Sequence, residues 1–140
     1  MSSTANSTRV SWDDLADHHF PPLREDHPWP KRELLTLRVY SAPLACEHFA
    51  FSIGKLEPGQ TVEHHTHREA EEVYVLLSGN SQIRSDDEVI DAKPLDAFRF
   101  PPHVRRSVYN NSQETCYWMF IGAPIDEFLE DGDYIPKGES

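Results

Sequence analysis

Gly59-Gln60-Thr61-Val62-Glu63-His64-His65-Thr66-His67, with Glu72 following after four intervening residues and Gly79 after six more, is the stretch that decides how this chain is read. The segments that carry it, Thr61 to His67 and Glu72 to Leu77, have the composition of β-strands. Side chains alternate between the faces of an extended strand, so His65 and His67 project to one side and His64 and Thr66 to the other. The same count gives Glu63 the parity of His65, and Tyr74 and Leu76 the parity of Glu72. Two imidazoles and a carboxylate thus lie within eight residues of one another, on strands placed to converge on one divalent metal. A bare His-x-His pair is a weak signal, since most such pairs sit on protein surfaces. The whole set at these intervals is much harder to obtain by chance.

Taken together, Gly59, His65, His67, Glu72 and Gly79 resemble the first signature motif of the cupin superfamily. The resemblance implies an all-β fold, a small cupin barrel of the double-stranded β-helix or jelly-roll kind. It also implies a metal held by two His, one Glu and a further His. A second motif supplies that last ligand in the family: a Gly, five residues, Pro-x-Gly, two residues, His, three residues, Asn. The matching stretch here runs from Leu95 to Asn110 and keeps Pro101 and Asn110. It departs at Leu95 and His103, where the family has Gly, and at Arg106, where the family has the fourth ligand.

A guanidinium stays protonated and has no lone pair to give a metal. Any metal at the family site therefore rests on His65, His67 and Glu72, a donor set that accepts Fe, Zn, Mn, Ni or Cu and leaves positions open for substrate or dioxygen. His103 is a substitute ligand only if a turn at Pro101-Pro102 reverses the face it would take in a strand. In the implied barrel, Glu72 and Tyr74 share a face, as do Arg106, Val108 and Asn110. The lumen would then present His65, His67, Glu72, Tyr74 and Arg106 between apolar walls such as Phe98, Phe100 and Val108, with Glu63 at the rim. Phe49, Phe51 and Ile53 alternate with His48, Ala50 and Ser52. The resemblance turns the lighter face toward the cavity, which makes His48 a further pocket candidate.

Two cations repel in a low-dielectric cavity unless an anion lies between them. Arg106 is accordingly expected to fix a carboxylate, enolate or phenolate of a small anionic or aromatic substrate. The metal would polarise the same molecule or deliver hydroxide or dioxygen to it, and Tyr74 or Glu63 would handle a proton. The resemblance spans dioxygenases, lyases, isomerases and small aromatic polyketide cyclases without choosing among them. The competing reading is a metal-free barrel that binds or senses a small ligand by hydrogen bonds. In it, Arg106 bonds Glu72 or Asp96 across the barrel and replaces the metal. A third reading, an interaction domain working through its dimer surface, is disfavoured by the retained ligand residues.

With 140 residues the chain is sized for one domain with its own core. A formal charge of -11 argues against nucleic acid or an anionic membrane as partner. Cys46 and Cys116 lie far apart and read as buried thiols rather than a redox or zinc pair. No apolar run at the N-terminus suggests a signal peptide, so a cytoplasmic protein is expected. Residues 1–30 read as an arm, disordered over its Ser/Thr/Asn-rich first ten residues, with a short helix starting at Ser11 and capped back by Asp14. Pro21, Pro22, Pro28 and Pro30 then impose an extended path. Trp12, Phe20, Leu23 and Trp29 are many apolar groups for a free tail, so the arm is expected to lie on the barrel or on a second subunit. The barrel occupies 31–125, and 126–140 form a short helix and a loose tail. A homodimer is the assembly the resemblance implies.

Overall fold

Alternating apolar and polar residues from Leu34 onward fold into two sheets packed face to face. The computed structural model of the chain describes residues 2–3, 7–19, 33–129 and 135–136, with the backbone alone at 2–3, 63–65, 129 and 135–136. Short strands β1 (Ser2–Ser3) and β2 (Thr8–Arg9) pair antiparallel. They are followed by a 3-10 turn at Trp12–Asp14. The barrel strands are β3 (Thr36–Val39), β4 (Ala50–Leu56), β5 (Thr61–Thr66), β6 (Glu71–Ser78), β7 (Ser81–Ser85), β8 (Glu88–Ala92), β9 (Ala97–Phe100), β10 (Arg106–Tyr109) and β11 (Cys116–Ala123). Helix α1 (Asp126–Leu129) and strand β12 (Ile135–Pro136) complete the described chain. One sheet has the order β12-β5-β10-β7-β8 and the other β3-β4-β11-β6-β9. This is the all-β barrel of the double-stranded β-helix type that the sequence implied. Among the described residues no helix is long and apolar enough to cross a membrane.

The core lies between the sheets and takes every second residue of the long strands. Tyr74 and Leu76 of β6 and Trp118 and Phe120 of β11 are buried, joined by Leu56, Ile83, Phe100 and Val108. Aromatic rings meet edge to face there, Tyr74 lying 4.8 Å from Phe100 and 4.6 Å from Phe120 between centroids. Residues 33–35 hold the two sheets together. Leu35 N–H donates to Thr61 O at 3.0 Å and Thr61 N–H to Glu33 O at 3.0 Å, before the chain crosses to pair with β4.

The motif glycines Gly59 and Gly79 sit at φ +86° and +82°, conformations open to a residue without Cβ. Leu95 and His103, at positions where the family has Gly, hold φ of 75° and 71°. The left-handed turns are thus kept with side chains attached, at a cost of about 1–2 kcal/mol each. Asn110 is fully buried. It donates to Leu56 O and Glu114 O and accepts from the Ser112 N–H, which ties together three chain segments.

The N-terminal segment departs in part from expectation. Ser2–Ser3 and Thr8–Arg9 are paired rather than without structure, because polar strands can join through backbone hydrogen bonds alone. The capped start at Ser11 is present, with Ser11 N–H donating to Asp14 Oδ2 at 3.2 Å, but it opens a single 3-10 turn. Trp12 packs edge-on to Tyr117, and Arg38 covers its ring at 4.4 Å while donating to Asp17. This part of the arm therefore lies against its own barrel. Phe20 to Trp29, with the prolines of that segment, and all of the tail except 135–136 fall outside the described residues.

Candidate functional site

Three strands and one loop bring the site together. Glu72 and Tyr74 occupy the inward face of β6, and their register partners on β9 are Phe100 and Phe98. Arg106 and Val108 stand inward on β10, and Arg106 is the Cα partner of His65 on β5. His67 follows β5, where its carbonyl accepts the His103 N–H at 2.8 Å.

Glu72 Oε1 is the centre of the cluster. Arg106 Nη1 donates to it at 3.0 Å, Tyr74 OH donates at 3.3 Å, and His67 Nε2 lies 3.2 Å away. Arg106 Nη2 donates to Pro101 O at 2.9 Å, and the guanidinium stands 5.1 Å from the Phe100 ring. The Arg106 side chain is 0% exposed and that of Glu72 7%. A lone charge at that depth would cost several kcal/mol, so the pair stands because each ion neutralises the other and most of their polar atoms find partners. Arg106 Nε is the exception, buried with no acceptor among the described residues.

The structure thus places Arg106 on Glu72, one of the two partners considered from the sequence. Asp96, the other, caps its own turn through the Lys93 N–H at 2.9 Å. A metal on Glu72 Oε1 would stand beside this guanidinium, and two cations sharing one carboxylate oxygen in a buried site repel. Among the described side chains no three His, Cys, Asp or Glu gather as a metal set. The side chains of Glu63 and His65 lie outside the described ones. A metal bound through Glu72 Oε1 would have to share that oxygen with the Arg106 guanidinium.

Other expected site residues fall in several places. Phe100 and Val108 are in the core and Phe98 packs against it. The lighter face of β4 does point inward, with Gly54 and Leu56 buried, but β4 begins at Ala50. His48 lies before the strand in an exposed bend, so strand parity does not carry it into the interior. His103 is likewise exposed, in the left-handed turn after Pro101. It contributes a backbone N–H rather than its imidazole. Between Val62 and His65 the register with β10 shifts by one residue, a β-bulge that breaks the period-two count used to group Glu63 with His65.

Two further residues, both on α1, border the site. Glu127 of α1 is buried and takes the Ala70 N–H on its carboxylate at 2.8 Å, along with the Glu69 N–H. The Phe128 ring packs on the His67 imidazole at 4.9 Å between centroids. It also fills the space beside Gly122, where a Cβ would collide with the ring and approach Glu72 Cγ at 3.0 Å. The only sequence signal for this docking was a glycine at the end of an otherwise bulky strand.

A family model described as the cupin domain matches residues 52–122, which hold both motifs and the Glu72–Arg106 pair. The chain belongs to the cupin family. Solved cupins and their relatives share its architecture. The polyketide cyclase RemF from Streptomyces resistomycificus is 18% identical, with a TM-score of 0.70 over 95% of this chain and 87% of its own. A cupin protein from Bacteroides fragilis is 22% identical, with a TM-score of 0.64 over 86% of each chain. A candidate sugar phosphate isomerase from Acidithiobacillus ferrooxidans is 25% identical, with a TM-score of 0.60 over 64% of this cupin. The chain spans 58% of the length of that isomerase. No curated protein matches this cupin in sequence.

Proposed function

We propose that this cupin works without a metal at its centre. In this reading the Glu72–His67–Arg106 cluster binds a small planar carbonyl or enol compound and moves a proton on it, as in an isomerisation or cyclisation. The observation that carries the reading is the 3.0 Å contact of a fully buried guanidinium with Glu72 Oε1. That cation stands where the family places its fourth ligand and already neutralises the carboxylate.

Each residue then has a defined task. Arg106 holds Glu72 ionised, and Glu72 orients the His67 imidazole, since an imidazole beside a carboxylate is a proton-transfer pair. The buried Arg106 Nε offers an N–H to a ligand carbonyl. Tyr74, hydrogen-bonded to the same carboxylate, stands by to pass a proton. The aromatic walls suit a planar molecule. The likeness of the whole barrel to a polyketide cyclase is compatible with that substrate class, although at this identity it speaks for the fold.

The test is elemental analysis of protein purified without tag or chelator, beside Arg106→His and His65→Ala. The wild type is expected to be far below one metal per chain, and Arg106→His to gain metal. Near-stoichiometric Fe, Mn, Ni, Cu or Zn in the wild type that vanishes in His65→Ala would overturn the proposal and restore the metal-dependent reading, oxygenase chemistry included. Assembly as a homodimer remains our proposal from the family resemblance. Sedimentation of the full chain beside one lacking 1–30 measures both the assembly and the arm's part in it.

A further inference from the structure

The cluster is sealed: His67 and Glu72 are each 7% exposed and Arg106 is 0% exposed. Any ligand that reaches them must displace something, and the elements around the cluster differ greatly in how firmly they are held. Below it, Tyr74 is wedged among Phe100, Phe120 and Trp118 in the centre of the core. On either side run β6 and β10, each paired on both edges. Above it lies α1, a helix of four residues, too short to hold itself together. It is fixed by the Glu127 carboxylate on the Glu69 and Ala70 amides, by Ile125 N–H donating to His48 O at 3.0 Å, and by the half-buried Phe128 ring on His67 and Gly122. These contacts can break without parting a sheet.

We infer that Phe128 is the gate of this site, with Glu127 as its anchor, and that the room it vacates decides which planar molecule reaches His67 and Glu72. The inference rests on reading the cluster as a ligand site. It adds that access and size selection belong to α1 rather than to the barrel walls. Gly122 is the seat of the gate, since a side chain there would hold the ring away from Glu72.

The experiment reads the accessibility of His67 directly. Full-length protein dialysed against EDTA, so that no bound metal shields the imidazole, is treated with diethyl pyrocarbonate and His67 modification is followed by peptide mass spectrometry. Wild type is compared with Phe128→Ala, Phe128→Leu and Glu127→Gln, with near-ultraviolet circular dichroism to verify folding and the exposed His19 as internal standard. His67 is expected to react about tenfold faster in Phe128→Ala and Glu127→Gln and by a smaller factor in Phe128→Leu, with His19 unchanged. An unchanged His67 rate in the folded variants would overturn the gate. Binding of 2-naphthol, measured on the same proteins, tests the ligand reading separately. Faster His67 modification without naphthol binding would support the gate while counting against the cluster as a site for planar molecules.

Discussion

Replacing Arg106 by Met removes a cation from a carboxylate that has no water to turn to. At 3.0 Å and an effective dielectric of about 20, the Arg106–Glu72 attraction amounts to about 5.5 kcal/mol, most of it offset by the desolvation of both ions. Arg106→Met forfeits that attraction and keeps the cost of burying Glu72, which predicts a loss of about 3–5 kcal/mol. The lost donation to Pro101 O lies within that range. Glu72→Gln leaves the guanidinium facing a neutral amide and should lose a similar amount. The double variant carries no unpaired charge and should lose much less than the sum, giving a coupling energy of about 3 kcal/mol. Urea denaturation of the four proteins in EDTA completes the cycle. Single losses that add within about 0.5 kcal/mol would refute the reasoning. They would mean that Glu72 is held by something other than Arg106.

Three further outcomes follow from the fold. Leu95→Gly and His103→Gly relieve left-handed backbone at φ of 75° and 71° and should each raise stability by about 0.5–1 kcal/mol in thermal denaturation, whereas a loss would contradict the turn geometry. Asn110→Asp keeps an acceptor for Ser112 but strips Leu56 O and Glu114 O of their donor, so it should cost about 2–4 kcal/mol, no better than Asn110→Ala. Burial pushes the Cys116 thiol up to about 11 from an ordinary 9.0, leaving about one molecule in a thousand as thiolate at pH 8. Iodoacetamide should therefore label half-buried Cys46 and reach Cys116 only after unfolding. The raised value has a definite sign: the fold binds the proton more tightly than the unfolded chain, so Cys116 contributes stability below about pH 9 that is lost as pH rises toward 11. Denaturation midpoints that stay flat across that window would contradict it.

Strand parity was legible wherever a strand ran without interruption. Glu72, Tyr74 and Leu76 share the buried face of β6, and Arg106 and Val108 that of β10, because period two holds through regular pleat. It failed where the backbone changes rule. The bulge between Val62 and His65 disconnects Glu63 from the count, β4 starts two residues after His48, and His103 sits in a left-handed turn. Arg106 was recognisable as a cation in a ligand's place. Its choice of Glu72 over Asp96 depended on which strand β6 pairs with and on which turn Asp96 caps. The short helix carrying Glu127 and Phe128 was legible, but its docking was marked only by Gly122, since one side chain binds backbone amides and the other an imidazole and a glycine, partners with no spacing signature.

A guanidinium and a divalent metal answer the same electrostatic need, a cation against Glu72, but they leave different sites behind. A metal with open positions still attracts an anion. The Arg106–Glu72 pair carries no net charge, and an anionic ligand would find no unmatched cation in it. The expectation of an anionic substrate, which followed from setting Arg106 beside a metal, therefore weakens once the arginine is spent on the glutamate. What the pair still offers is the Arg106 Nε–H, a hydrogen-bond donor suited to a carbonyl oxygen. On the metal-free reading the ligand enters as a neutral ketone or enol, and its affinity should hardly change between low and high salt. A carboxylate or phenolate recognised through charge would bind more weakly as salt rises.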